Sequence, residues 1–488
     1  MGPFEDHLSA PRGLGRIEGA HGSGAAGGAP CGDLIRIDVA VDGDRIARAG
    51  FEASGCGAAS AAGSAVVELV SGTSFLAAAR VGAREIAAEL GGLSAGKFHA
   101  AALAADALHR ALGVAAGAVR ARPEERRTLV AMSGGVDSAV AAFLAAGRGD
   151  EVVAVTLELW ADPAVDTARS CCSSQAVAGA RALAHRMGIP HLTLDLRRPF
   201  GDAVVADFVA EHRAGRTPNP CVRCNGMLRF DAMLALAERL GAARLATGHY
   251  ARVEDDPDGP VLALARDANK DQTYMLAALD AGALRRVWFP LGELTKPEVR
   301  ELARGARLPV ANKPDSQDLC FLAGAGGQDA FLRRHAPELV EADPGGEIVD
   351  LEGRVLGRHS GQRNFTVGQR RGLGVAAGEP LFVVDKDARS GRVRVGPRAA
   401  LRASRVTLRA AKLHRPSAVV DRVKLRYRSE PLPGCVTEPV PAGRYPRLTV
   451  ELDRPAEGVA PGQTACLMQG NRIVGWGVIG AERGARAA

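Results

Sequence analysis

Two groups of residues in this chain have the types and spacing to do chemistry. One is the run Ser133-Gly134-Gly135-Val136-Asp137-Ser138; the other is a set of three cysteines, Cys221, Cys224 and Cys320. In the run, two glycines let the backbone bend sharply and approach a ligand with no Cβ in the way. Its N–H groups, with the positive end of a following helix, form a cradle for an anion such as phosphate, and two serine hydroxyls add donors. No Gly-Lys-Ser/Thr follows, so this is not the Walker-type loop. Among the cysteines, a Pro-Asn-Pro turn at 218–220 delivers Cys221 and Cys224 to the start of a helix, where the dipole lowers a thiol pKa and favours the nucleophilic thiolate. A Cys-x-x-Cys pair also reads as half of a zinc site, but no second Cys-x-x-Cys or His-x-His pair completes it.

These groups need a scaffold, and the pattern around them supplies one. Residues 128–132 are short, apolar and β-branched at their start, as a buried parallel strand requires, and 139–146 is an Ala-rich helix opening. A β-branched run at 151–157, a helical stretch at 172–187, a short strand at 191–194, helical stretches at 203–213 and 226–240 and a strand at 244–246 continue the alternation. That order predicts a doubly wound parallel sheet. Ahead of it, residues 34–41 and 45–53 read as a hairpin about Asp42-Gly43, followed by helices over 58–70, 74–90 and 98–112. Residues 113–127, with Gly, Ala, Pro and a charge cluster, read as linker. After about 324, β patterns at 345–358, 381–395 and 405–413 precede short strands over 448–479, as in a small barrel. Residues 22–29 are Gly/Ala-rich and of low complexity.

The chain has 488 residues, 47% hydrophobic and 24% charged, enough for three or four domains with ample core. A formal charge of +7 permits a polyanionic partner without demanding one. No apolar run reaches membrane-spanning length and the amino terminus lacks a signal-peptide pattern, so the reading is a cytoplasmic protein without membrane association. Nine cysteines in that setting point to metal or sulfur chemistry rather than disulfides. Cys435 and Cys466 fall in barrel-like strands and read as buried small apolar residues, and the adjacent Cys171 and Cys172 read as structural.

Residues 133–138 resemble the signature of the PP-loop ATP pyrophosphatases. Further along, TPNPCVRCN (217–225), ATGHYAR (246–252), Lys270-Asp271-Gln272, Phe289-Pro-Leu-Gly292, DSQDLCF (315–321) and VGQRRGLG (367–374) resemble motifs of the tRNA-specific 2-thiouridylases, in that family's order and over three quarters of the chain. The resemblance implies a PP-loop domain, a small central domain and a C-terminal β-barrel. It implies ATP contacts from Ala131, Met132, Ser133, Gly134, Gly135, Val136, Asp137 and Ser138, from Leu157 and from Gly248, with a bound Mg²⁺ beside the phosphates. Asn219, Pro220 and Cys221 would face the target base, and Lys270, Asp271, Gln272, Arg426 and Tyr427 would contact tRNA. Cys224 matches the nucleophile and Cys320 the persulfide carrier. The implied reaction is adenylation of a uridine C2 carbonyl, at the wobble position, followed by sulfur transfer. Many members carry Asp where this chain has Cys221, which leaves base catalysis open. It also opens a second route, in which Cys221, Cys224 and Cys320 hold an iron–sulfur cluster. His249 reads equally as a substrate contact or a loop organiser.

The amino-terminal stretch resembles a second family, the U-type iron–sulfur scaffolds, through FEDHLSAPRGLG (4–15), PCGD (30–33), SGCG (54–57) and KFH (97–99). Its implied ligands, for a cluster or Zn²⁺, are Cys31, Asp33, Cys56 and His99. The third Cys expected after His99 is Ala100, so a degenerate docking module for a cysteine desulfurase, the implied sulfur donor, is an equal reading. The expected organisation is multidomain: an α+β U-type scaffold-like domain (1–118), a linker (119–127), a doubly wound α/β PP-loop domain (128–324), a small β-rich central domain (325–402) and a C-terminal β-barrel (403–488). Two other functions remain to be weighed. A PP-loop ligase acting on a small molecule is disfavoured by the tRNA-facing motifs. An iron–sulfur assembly scaffold is disfavoured by the intact loop and cysteines.

Overall fold

The computed structural model describes residues 2–27, 32–162, 174–315, 319, 321, 322 and 326–481. Cys31, Cys171, Cys172 and Cys320 lie outside them, so the readings made for these four have no structural counterpart here.

In the amino-terminal unit, strands Leu34–Asp42 and Arg45–Ser54 form the expected hairpin, and a third strand, Gly22–Gly27, pairs antiparallel with the first. Composition alone marks that third segment as low complexity; its glycines have a packing reason. A Cβ on Gly22 or Gly24 would sit 2.1 or 2.3 Å from backbone oxygens of Ala111 and Ala107, on the helix Phe98–Ala115 that crosses the strand. Only glycine permits that approach. The single helix expected over 74–90 is two, Phe75–Ala78 and Ala83–Glu89, because the chain restarts at Gly82, whose N–H is held by the Glu85 carboxylate at 2.9 Å.

The second unit is built on five parallel strands in the order Val287–Trp288, Ala242–Thr247, Glu124–Ala131, Glu151–Glu158, His191–Asp195. The central strand starts at Glu124, inside the charged stretch expected to be linker. Its charged end is exposed while Thr128, Leu129 and Val130 are fully buried, so one strand carries both textures. Strand order reverses between Glu124–Ala131 and Ala242–Thr247, and the crevice at their carboxyl ends is where such sheets bind ligands. The amino-terminal unit packs against the edge strand His191–Asp195. There the His191 N–H donates to the Ala79 carbonyl at 3.0 Å, Arg181 pairs with Asp106, and His109 stacks near His185 and His191.

A four-stranded sheet follows, ordered Val355–His359, Gly346–Val349, Val393–Gly396, Phe382–Lys386. It is anchored by Arg363, a fully buried side chain bonded to Asp329 at 2.8 Å and Asp343 at 3.2 Å. The last strands close a barrel through pairing of Arg402–Leu413 with Arg472–Ile479. A hairpin that the sequence reading passed over, Arg252–Glu254 and Val261–Ala263, adds to the barrel's sheet with Ala263 opposite Arg472. Within the barrel, Cys466 is buried as expected, but Cys435 is exposed because its strand turns that side outward.

Candidate active site

The strand Glu124–Ala131 ends at the crevice, and the loop follows it. Ala131 closes the strand, and the Met132 N–H still donates to Val155 O at 2.8 Å, extending the sheet by one residue. Ser133 N–H then donates to Ser138 Oγ at 3.1 Å, and Ser138 Oγ donates to Gly135 O at 3.1 Å, which staples the turn across its own width. Gly134 has φ of +68°, a backbone region that disfavours any side chain. Gly135 caps the helix Val136–Gly147, which puts Asp137 in its first turn. Leu157 lies near the end of the neighbouring strand Glu151–Glu158. Gly248 approaches the loop from the other side of the crevice: a Cβ there would lie 2.7 Å from the backbone of Asp137 and of Ser138.

Several charged residues converge on this loop, among them Lys296 and Arg300, which no sequence motif singled out. Lys296 Nζ lies 2.7 and 2.8 Å from the two oxygens of Asp137 and 2.9 Å from Asp315 Oδ1. Asp315 also meets Lys270 at 2.7 Å and Arg300 at 3.1 Å. Burial would raise its pKa, but the hydrogen bonds from Lys270 and Lys296 win and hold it down to about 2. Lys313 Nζ donates to the Gly134 carbonyl at 2.9 Å, and the Tyr250 hydroxyl donates to Asp137 at 3.1 Å. One signal was legible. Thr295 and Glu298 form a capping pair that places Lys296 at a helix start, but nothing local shows what that helix end faces.

The cysteine helix is as the Pro-Asn-Pro turn predicts: Asn219 Oδ1 accepts the Cys221 N–H at 3.2 Å, and Pro220 opens the helix Pro220–Cys224. Helical structure continues through a π turn, Asn225–Arg229, into Phe230–Arg239. The expectation of a lowered pKa fails for Cys221. Burial pushes its thiol up to about 11, and the nearby Arg229 guanidinium only partly opposes this. Desolvation of the thiolate is the largest cause of that rise. Cys224 is buried, in one apolar cluster with Phe200, Phe208 and Phe321, the residue after Cys320.

His249 links the two halves. Its Nδ1 lies 2.8 Å from Thr247 Oγ1, and its ring lies 5.8 Å from Phe230, on the cysteine helix, and 6.3 Å from Phe289. Burial, assisted by Arg229, lowers its pKa to about 4, so the imidazole is neutral. Its neighbours Gly248 and Tyr250 touch the phosphate-type loop, so the segment Thr247 to Tyr250 joins the loop to the helical run that continues from the cysteines.

Of the residues expected to contact tRNA, Asp271 is buried: it accepts from Ala265 N–H at 3.1 Å and from Thr273 Oγ1 at 2.8 Å, and it lies 3.6 Å from Lys424 of the barrel. Gln272 Oε1 accepts the Tyr250 N–H at 3.0 Å. Arg426 donates to Gly458 O at 2.7 Å, and Tyr427, half-buried, sits 6.1 Å from Tyr274. Lys270 is about one-third exposed. Asp271 and Gln272 thus brace the fold, while Lys270 and Arg426 keep charged groups at the surface.

In the amino-terminal unit, Asp33, Cys56 and His99 offer three ligand atoms within 4.8 Å of one another, the one such group among the described residues. Asp33 is buried. One of its oxygens accepts the Cys56 N–H at 2.8 Å; the other meets Cys56 Sγ at 3.2 Å and His99 Nε2 at 2.9 Å. A sulfur, an imidazole nitrogen and a carboxylate converging in this way fit a thiophilic divalent cation such as Zn²⁺. Ala100 is fully buried in the core and offers no ligand.

Comparison with known proteins assigns all four units. The chain matches family models for a NifU-like N terminal domain (4–117), a tRNA methyl transferase HUP domain (126–324), a tRNA methyl transferase PRC-barrel domain (329–397) and an aminomethyltransferase beta-barrel domain (398–479). It is 45% identical to the bifunctional protein NifU/MnmA of Rubrobacter xylanophilus over 97% of both chains. It is 46% identical to the tRNA-specific 2-thiouridylase MnmA of Bradyrhizobium sp. (strain ORS 278) over 71% of this chain and 87% of that one. For the enzyme of that name from Acidithiobacillus ferrooxidans the figures are 43%, 73% and 98%.

Proposed function

The chain belongs to the tRNA-specific 2-thiouridylases, in the form fused to a NifU-like domain, and from that premise we propose how its residues divide the reaction. It is an ATP-dependent sulfurtransferase that replaces the C2 oxygen of a tRNA uridine with sulfur. The observation that carries the assignment of residues is the segment Thr247 to Tyr250, which holds the nucleotide loop with Gly248 and Tyr250 and meets the cysteine helix through His249.

A uridine carbonyl is a poor electrophile. Residues 131–138, Leu157 and Gly248 bind ATP so that the C2 oxygen attacks its α-phosphorus and pyrophosphate leaves. The loop N–H groups stabilise the departing charge. The Asp137 carboxylate, which meets Lys296 in this structure, would hold a Mg²⁺ ion beside the loop, and that ion would supply charge neutralisation of the phosphates. Sulfur then arrives as a persulfide on Cys320. Its terminal sulfur attacks C2, AMP leaves, and Cys224 attacks the Cys320 sulfur to release the thiouridine. The disulfide left between the two is reset by an external thiol. Asn219 and Pro220 position the base with Cys221, and Lys270 and Arg426 meet tRNA phosphates. The NifU-like domain, docked on the sheet edge, receives sulfur from a cysteine desulfurase. Among the described residues no helix is long and apolar enough to cross a membrane.

The test is thiolation by the purified chain, with tRNA transcript, ATP and a persulfide donor. Nucleoside mass spectrometry should show 2-thiouridine, with pyrophosphate released only when tRNA is present. Pyrophosphate release without tRNA, and no thiouridine, would overturn the reading.

A further inference from the structure

We infer that the NifU-like domain has a second role beside handling sulfur: seated on the sheet edge, it holds the nucleotide loop in its binding shape. This rests on the reading of residues 133–138 as the nucleotide loop and concerns residues that lie outside that loop.

The joint is built on the segment between the helices Phe75–Ala78 and Ala83–Glu89. The Ala79 carbonyl accepts two donors from the sheet domain, the His191 N–H and His185 Nε2, each at 3.0 Å. Within its own domain the segment is held by His109, whose Nε2 lies 3.0 Å from the Val81 carbonyl. Gly82 closes it against His185, since a Cβ there would lie 3.0 Å from the ring's Nδ1. Alongside, the helix Phe98–Ala115 meets the edge strand backbone to backbone: a Cβ on Gly113 would lie 2.1 Å from Thr193 O. Asp106 of that helix pairs with Arg181. Ala79, His109 and His191 are fully buried. Separating the domains would break these bonds inside a core, so the NifU-like domain is seated in one position.

Two supports run from this joint to the loop. Thr156 Oγ1 donates to the Met132 carbonyl, immediately before Ser133, at 2.7 Å. That hydroxyl proton is spent, so in the 2.8 Å contact between Thr156 Oγ1 and His191 Nε2 the imidazole is the donor. Burial, with Arg181 and His185 nearby, holds the His191 pKa well below its ordinary value and the ring neutral. His191 therefore aims Thr156, Thr156 aims the Met132 carbonyl, and Ala79 fixes the backbone of His191. The second support is the helix Ser174–Arg186. A Cβ on Gly134 would lie 3.6 Å from Ala176 O and from Ala180 Cβ, so the turn rests on the first half of that helix. Its second half carries Arg181 and His185, which Asp106 and Ala79 hold. Moving the NifU-like domain moves both supports, and His191 is a positioning residue for the loop.

The experiment measures ATP affinity by calorimetry and tRNA-dependent pyrophosphate release in the full chain. The proteins are wild type, Asp106→Arg, Asp106→Arg combined with Arg181→Asp, His191→Leu and His191→Gln. Asp106→Arg sets two guanidinium groups against each other across the joint, and His191→Gln keeps a donor where Nε2 stands. We expect Asp106→Arg and His191→Leu each to weaken ATP at least threefold and to slow pyrophosphate release. The charge swap and His191→Gln should stay within twofold of wild type. Added positive charge alone would favour an anionic nucleotide, so a loss in Asp106→Arg reports on the seating of the domain. Affinity and release unchanged in both Asp106→Arg and His191→Leu would overturn the second role and leave the nucleotide-loop reading intact. Equal losses in His191→Leu and His191→Gln, with a lowered melting temperature and no effect of Asp106→Arg, would overturn it too, by making His191 a core residue alone. If folded wild-type protein binds no ATP, the nucleotide-loop reading itself fails, and the second role with it.

Discussion

His99 Nε2 lies 2.9 Å from Asp33 Oδ2 while its Nδ1 lies 2.8 Å from the Gly96 carbonyl. Both ring nitrogens face acceptors, and the Asp33 hydrogen bond raises the pKa of the imidazole above its ordinary value. With Nδ1 bonded to the Gly96 carbonyl, Nε2 is the nitrogen turned toward Asp33 and free to serve as a ligand. The full chain should therefore retain zinc at this site. His99→Ala or Asp33→Ala should weaken zinc affinity by about 10–100-fold in a chelator competition. Zinc affinity unchanged in both variants would place any bound metal elsewhere.

Cys221 should be a slow nucleophile. Its thiol is pushed up to about 11 from an ordinary value of 9.0, so the thiolate fraction near neutral pH falls about 100-fold relative to an unperturbed cysteine. Iodoacetamide labelling of the Cys221 peptide, followed by mass spectrometry, should be slow at pH 7.5 and climb through pH 10. Under the persulfide route Cys221→Asp should retain thiolation. Activity that requires reconstituted iron and disappears in Cys221→Asp, measured in a Cys56→Ser background that silences the amino-terminal site, would establish the cluster route instead.

Cys224→Ser and Cys320→Ser should each reduce 2-thiouridine formation below detection and leave ATP affinity within twofold. Cys224 lies in an apolar cluster rather than in the nucleotide loop, which is why the two readouts separate. Near-normal thiolation by either variant would remove that residue from sulfur transfer.

Gly134→Val should abolish tRNA-dependent pyrophosphate release. Its φ of +68° forces a β-branched residue into a region costing about 1–3 kcal/mol, which the loop relieves by moving. Gly248→Ala should act similarly, since its Cβ would meet the Asp137 and Ser138 backbone at 2.7 Å. Filter binding should show tRNA affinity nearly unchanged, because neither substitution removes a cation that would meet the tRNA phosphates. Normal pyrophosphate release from the Gly134 variant would move the ATP site elsewhere.

Stability should fall in mild acid. His212 is buried with neither ring nitrogen hydrogen-bonded, and burial lowers its pKa to about 3 from 6.5. Between those values the unfolded chain binds the extra proton, so this contribution is complete above pH 6.5 and is lost as pH falls toward 3. The buried His109 and His191, also lowered, act in the same direction. Thermal melts from pH 7.5 to 5 should show a declining midpoint, and His212→Phe should flatten that decline. An unchanged slope in the variant would assign the acid sensitivity to other groups.

The sequence by itself determined what depends on neighbours along the chain. The glycine-serine turn, the Pro-Asn-Pro entry to the cysteine helix and the strand–helix alternation were all legible, because turn chemistry and hydrophobic period are local; Asp33, Cys56 and His99 stood out only through a family resemblance, and the fold brings their candidate ligand atoms within 4.8 Å of one another. Tertiary structure decided whatever depends on burial and on distant partners. Lys296 is 159 residues from Asp137, and only the wound sheet brings that helix end to the loop. The strand Gly22–Gly27 looks like low complexity until a helix is laid across it, and the hairpin ending at Ala263 reads as a loop until the barrel's last strand pairs with it. The helix start reads as the place for an activated thiol at Cys221, whereas packing around it desolvates the thiolate and pushes its pKa up. Asp271 and Gln272 carry polar side chains that a sequence assigns to solvent, and the fold turned both inward to hold Ala265 and Tyr250.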